Sequence, residues 1–273
     1  MSVTTRIQEL NNRLATNLVS KGVSAEGTET TTELINKVND IESGGTSVIN
    51  PEWTDWRYFS YHNNRNDLVA KLKYSDTSSG TDFSGMFSAC SALTTIPLID
   101  TSKGVNFANM FNSCSNLTTI PQLNTSKGTN FGSMFGYCFA LTTIPQLDTS
   151  SGTNFNYMFS GCSKLTTIPQ LDTSGGTNFS SMFVNCTDLT NLTMTGTIKA
   201  NGMDLHYSTK LSKASIISVI NALSDTTNAL KVQLSKTAVN NAFETSSGVA
   251  DGSTSEEWTT LIATKANWTI ALS

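Results

Sequence analysis

The cysteines fall at Cys90, Cys114, Cys138, Cys162 and Cys186, an unbroken period of 24 residues. The same interval carries Phe83, Phe107, Phe131, Phe155 and Phe179, the Met-Phe pairs that begin at Met86, Met110, Met134, Met158 and Met182, and Leu93, Leu117, Leu141, Leu165 and Leu189. Ile96, Ile120, Ile144 and Ile168 follow, with Leu192 in that place in the fifth unit. Five copies without an insertion exclude an ordinary single-core domain. A unit this short cannot bury its apolar side alone, so the units must stack and share one continuous core.

Each unit has a local reading. Phe, Met, Phe and Cys at i, i+3, i+4 and i+7 predict one face of a two-turn helix. Asp82, Asn106, Asn130, Asn154 and Asn178 stand just before the first Phe, where a short side-chain oxygen caps orphaned N–H groups. Leu-Thr-Thr-Ile-Pro then suits a short strand, whose proline, lacking an N–H, ends the ladder. Asp-Thr-Ser-x-Gly has turn chemistry. The expected fold class is therefore an α/β repeat: a solenoid of about five coils plus end caps.

The elements Met134-Phe135-x-x-Cys138-x-x-Leu141-x-x-Ile144 resemble the BspA-like leucine-rich repeats of bacterial surface proteins and of bacteriophage particles. The resemblance covers roughly residues 69–195 and implies a leucine-rich-repeat solenoid. The proline after the strand Ile in four coils departs from the family pattern.

The flanks divide the chain further. Residues 1–45 form an expected N-terminal helical segment: Val3, Ile7, Leu10 and Leu14 have coiled-coil a/d spacing, and Leu34, Ile35, Val38 and Ile41 continue after Thr32. Gly44-Gly45 makes a joint. Two heptads do not hold an isolated coil, so this segment calls for partners through Val3, Ile7, Leu10, Leu14, Leu34, Val38 and Ile41. The stretch from Leu18 to Val38 resembles N-terminal anchors of phage tail and fibre proteins, which implies a homo-oligomer, with a trimer favoured, docked on other virion proteins. Residues 46–82, with Trp53, Trp56, Tyr58, Phe59 and Tyr61, are expected to cap the stack, a sugar-binding platform being the alternative; residues 83–195 hold the repeats, and 196–273 form irregular C-terminal units. In that last part, Ser212 precedes a helical pattern at Ile216, Val219, Ile220 and Leu223. Leu230–Leu234 and Trp268–Leu272 alternate as strands, and a helix is expected near Glu256–Lys265.

Composition narrows the chemistry. Seventeen Lys+Arg against 21 Asp+Glu, with no basic run, argue against a nucleic-acid partner. No apolar run approaches the roughly 18 residues of a membrane span, so no membrane insertion is expected. No secretory signal is read in the first residues. Only two histidines, His62 and His206, occur, and a nucleophile needs a base within reach, so no enzyme and no catalytic residue is expected. The cysteines, one coil apart and odd in number, are read as buried free thiols rather than disulfides or zinc ligands. Asp100, Asn124, Asp148 and Asp172 supply at most one carboxylate per coil, so turn chemistry is favoured over a calcium ladder, and neither a metal nor a cofactor is expected.

Binding remains. Thr119, Thr143 and Thr167 with Gln122, Gln146 and Gln170 repeat along the strand side. On the helical side Tyr137, Phe139 and Tyr157 replace small residues of sister coils, and the helical reading puts both tyrosines on one face of adjacent helices, a patch that either recognises a ligand or packs on a sister subunit or another virion protein. These nine residues are the candidate binding surface. The functional expectation is a non-enzymatic phage tail-fibre or receptor-binding protein, located on the virion, that touches a host surface glycan or protein. The alternatives are a decoration protein without receptor role and a BspA-like adhesin of the bacterial surface.

Overall fold

The computed structural model describes residues 77–225, 230–243 and 255–273. The N-terminal helical positions Val3 to Ile41, the aromatic stretch Trp53 to Tyr61 and the 226–228 loop lie outside the described residues. Within the repeats, successive 24-residue units lie one on the next. Parallel bridges run Asp82 to Asn106 to Asn130 to Asn154 to Asn178. Two columns of phenylalanine rings stack through the core: the Phe83 column at 5.6–5.7 Å between centroids and the Phe87 column at 5.4–5.8 Å, with all ring planes within 10° of parallel. Met, Cys, Leu and Ile of each unit fill the same buried core. This repetition fits a repeat solenoid.

The two-turn helix predicted in each unit is absent. An α-helix sends each N–H to the carbonyl four residues back. Here alternate N–H groups leave the unit altogether: those of Phe83, Gly85, Phe87 and Ala89 donate to the carbonyls of Asn106, Ala108, Met110 and Asn112 in the next coil at 2.7–2.8 Å. The N–H groups between them close turns three residues back, Met86 onto Phe83, Ser88 onto Gly85 and Cys90 onto Phe87. The third residue of the Phe83 and Phe87 turns has positive φ, as a type II turn requires. That pattern recurs at Gly85 and Ala89, Asn109 and Ser113, Ser133 and Tyr137, Tyr157 and Gly161, and Ser181 and Asn185. Paired four-residue turns therefore replace helix and give the same apolar spacing, while joining each coil to its neighbour. The fold class is corrected accordingly: the repeats are turn and extended chain, and helices among the described residues occur only after residue 212.

The residues read as helix caps cap turns instead. The side-chain oxygens of Asp82, Asn106, Asn130, Asn154 and Asn178 each accept from the N–H two residues on, at 2.9–3.3 Å. The expected strands are scarce, and proline does not end the one ladder that forms: the strand over Thr167–Asp172 runs through Pro169 and pairs again at Leu171 and Asp172. Only β1 (Thr167–Asp172) and β2 (Asn191–Thr195) pair as a parallel ladder in this part, with a register shift beside Pro169. In the earlier coils an isolated Thr143–Thr167 bridge remains. Below this lies a buried threonine column: Thr77, Thr101, Thr125, Thr149 and Thr173 each donate a hydroxyl hydrogen to a carbonyl of the following coil at 2.8–2.9 Å.

After β2 the repeat changes. β3 (Asp204–Leu205), β4 (Leu230–Leu234) and β5 (Trp268–Leu272) form a parallel sheet in that order. Helix α1 (Lys213–Ala222), capped by Ser212, lies where the sequence pattern placed it; α2 (Lys236–Phe243) is additional, and α3 (Glu256–Ala263) starts at Ser255. α1 takes the place that the strand of a sixth unit would hold. Its Ser215 and Ser218, 24 residues after Asn191 and Met194, accept the N–H of Leu192 and Met194 at 2.9 and 2.8 Å and return hydrogens to Thr190 and Met194 carbonyls. Two hydroxyls thus stand in for the backbone of a missing strand.

The turn geometry makes a sign-definite prediction at Ser133 (φ 52°). Ser133→Gly is expected to stabilise the protein by up to about 1 kcal/mol, because the left-handed conformation costs an L-residue roughly 1–2 kcal/mol. Ser133→Val is expected to destabilise it. Chemical denaturation measures both; a helix at this position would make the glycine variant the less stable.

Candidate functional site

The candidate residues fall on two surfaces. On the side of the paired turns, Tyr137, Phe139 and Tyr157 are 45%, 48% and 42% exposed amid buried neighbours. Tyr137 and Phe139 meet edge to face, centroids 6.2 Å apart and rings inclined at 66°. The Tyr137 ring also covers Gly161 of the next coil, where an added Cβ would come within 2.9 Å of Tyr137 Cδ1. Tyr157 is one coil further on, in the column of Ser133 and Asn109. The helical face expected to carry both tyrosines is replaced by successive turns, and both take left-handed backbone, with φ of 60° and 55°. Their N–H groups donate to Ser160 and Ser180 carbonyls in the following coil, at 2.7 and 2.9 Å, so each ring hangs from a backbone tied to the core. Sister coils fill the two positions with Gly, Ala, Ser or Asn, residues smaller or more tolerant of positive φ.

On the extended side, Thr119, Thr143, Gln122, Gln146 and Gln170 are exposed and Thr167 is half-buried. The glutamine amides work between coils: Gln122 Nε2 donates to the Gln146 carbonyl at 2.6 Å and Gln146 Nε2 to the Gln170 carbonyl at 2.7 Å. They bridge coils where proline has removed a backbone donor. Beside them the carboxylates and the Asn124 amide accept from the serine N–H two residues on, Ser102, Ser126, Ser150 and Ser174. Ser102 and Ser150, through hydroxyl first and N–H second, hold the carboxyl groups of Asp100 and Asp148 below the ordinary carboxylate range. The oxygens read as possible calcium ligands are thus engaged in turns. Among the described residues no group of three or more His, Cys, Asp or Glu is arranged to hold a metal ion.

The cysteines are free and buried. Cys114, Cys138, Cys162 and Cys186 donate to the carbonyls of Phe87, Phe111, Phe135 and Phe159 in the preceding coil at 3.0–3.1 Å. Burial pushes these thiols up, that of Cys186 to about 12, so thiolate chemistry is suppressed. His206 Nδ1 lies 2.6 Å from Asp204 Oδ1, with its ring against Tyr207.

Sequence reasoning missed Leu98, 73% exposed, and Tyr207. Leu98 stands where the next three coils have glutamine, so departure from the unit consensus was the signal that would have found it. Tyr207 lies beyond the repeats, where no sister position exists for comparison.

With this geometry in place, comparison with protein families matches the chain over residues 57–143 and 106–215 to the family described as "Mycoplasma protein of unknown function, DUF285". Together the two matches span residues 57–215, more than half of the 273 residues. No curated protein and no solved structure matches the chain. Among the described residues no helix is long and apolar enough to cross a membrane.

The thiol environment yields a direct test. In the native protein a thiol-disulfide reagent such as DTNB at pH 8 is expected to find none of the five cysteines within the time in which an unfolded sample gives all five. A fast equivalent in the native sample would place a thiol at the surface.

Proposed function

The chain belongs to the DUF285 family and is a BspA-like repeat protein, and from that premise we propose that it is a non-enzymatic attachment protein. Its stacked leucine-rich repeats present Tyr137, Phe139 and Tyr157 to a glycan or protein on a host cell surface. The observation that carries this reading is the pair of exposed tyrosines on left-handed backbone. A bulky side chain at positive φ is strained, and such strain clusters where a surface is used. Rigid rings among Ser, Asn and Gly supply contact area at low entropic cost. The glutamines, committed between coils, rank behind the aromatic residues as contacts.

The setting we propose is a bacteriophage virion appendage of tail-fibre type, joined to the particle and to its own copies, as a trimer, by residues 1–45. The repeat and N-terminal resemblances support it. A cellular adhesin is the second reading, favoured by the family's description as a Mycoplasma protein.

The test uses the labelled full chain on an array of bacterial surface polysaccharides and on intact cells. We expect retention on at least one, and a loss of tenfold or more in the variant Tyr137→Ser/Phe139→Ser/Tyr157→Ser with its thermal transition preserved. Equal retention of both proteins removes these residues from the site. Absence of retention on every surface overturns the attachment function. Immunogold labelling of virions against cells then separates the two settings.

A further inference from the structure

The Asp-Thr-Ser-x-Gly turns form one continuous edge of the stack, and charge is distributed along it unevenly. Two columns matter. In the four turns from residue 100 onward the first residue is Asp100, Asn124, Asp148 or Asp172 and the fourth is Lys103, Lys127, Ser151 or Gly175; the 76–80 segment before them repeats the same sequence pattern, with Ser79 in the fourth place. The two lysines fall in the two earlier turns, whereas the two later turns carry a carboxylate and no lysine. In order along the stack the turns are therefore neutral, positive, negative and negative.

The charges on this edge are available. Lys103, Lys127, Asp100 and Asp148 are exposed, and Asp172 is half-buried. The serine hydroxyl and N–H keep Asp148 ionised well below neutral pH. Leu98, the most exposed large apolar side chain described, lines the open groove of about 1070 Å³ that runs beside these turns.

We propose that this edge pairs with the same edge of a second copy of the chain, antiparallel, about a two-fold axis between the Lys127 and Asp148 turns. A two-fold interface brings one surface patch against itself, so it is favourable only if the patch is self-complementary. With the stacks parallel, Lys127 meets Lys127 and Asp172 meets Asp172. With them antiparallel, Lys127 of each copy faces Asp148 of the other, and the neutral turn of Asp100 and Lys103 faces Asp172, which Lys103 can reach. Each opposite-charge pair occurs twice. The small residues at 151 and 175 leave the carboxylates open to a lysine from the second copy. Leu98 adds apolar area at both ends of the contact. Exposed ion pairs contribute little individually and are screened by salt, so the association is weak and salt-labile. It is separate from the proposed contacts of residues 1–45 and does not depend on the attachment reading.

Sedimentation velocity of the full chain at about 20 mM and about 500 mM sodium chloride tests it, since the screening length shortens several-fold between them. We expect the mean mass at low salt to rise with protein concentration towards twice the high-salt value. The doubling should vanish in Lys103→Glu/Lys127→Glu and in Asp148→Lys/Asp172→Lys, and return when all four substitutions are combined, which restores opposite signs across the axis. A zero-length carbodiimide cross-link between Lys103 and Asp172 should join isotopically light and heavy chains. Within one chain these residues are three coils apart, roughly 14 Å at a strand-like spacing, beyond such a cross-link. A wild-type mass independent of salt overturns the proposal. So does a doubling that survives either paired reversal, a combined variant that stays unassociated, or a Lys103–Asp172 cross-link confined to single chains.

Discussion

The structure depends on an alternation in where backbone N–H groups go. In the four coils between Asp82 and Cys162, one N–H after the Asx residue closes a turn in its own unit and the next crosses to the following coil. Buried backbone groups must be paired, and this arrangement pairs them with neither a helix nor a continuous sheet. An extra residue between the Asx residue and the cysteine would exchange the two kinds of donor beyond it and put the apolar residues that follow out of register with the neighbouring coils. The rings of Phe83 to Phe179 and the cysteine hydrogen bonds follow from that register rather than create it.

Side chains take over wherever the backbone fails. The prolines remove a donor from the extended side, and glutamine amides bridge Gln122 to Gln146 and Gln146 to Gln170 in its place. Buried threonine hydroxyls join coils beneath the turns. These substitutes give the low-charge, Thr-, Ser- and Asn-rich composition a structural cause: the polar residues act as connectors between units and not only as a solvated surface.

Much of this was legible in the residues. The period, the core positions, the thiol environment, the turn role of the Asp/Asn column and most of the C-terminal elements follow from spacing and side-chain chemistry. The helix reading failed because Phe, Met, Phe and Cys at i, i+3, i+4 and i+7 satisfy both a helix and two consecutive type II turns. The distinguishing signal lay in the residues between them: Gly85, Asn109, Gly161 and Asn185 are suited to positive φ and poor in a helix. Tyr137 and Tyr157 concealed that signal by occupying the same positions with large rings. The exposure of the aromatic patch was nevertheless foreseeable, since both a helix and the turns leave those columns outward. α2 was missed because it is only eight residues long and its two large apolar side chains, Val239 and Phe243, are too few to show a period.

The serines of α1 set a direction for growth. By binding the free edge of β2 as a strand would, Ser215 and Ser218 leave no template on which another coil could be added there. Variation in the length of such a protein is therefore confined to whole 24-residue insertions or deletions upstream of that closure. Each would shift the far end by one coil thickness and leave the terminal assembly intact, so duplication of a 72-nucleotide block is the natural step by which this architecture lengthens.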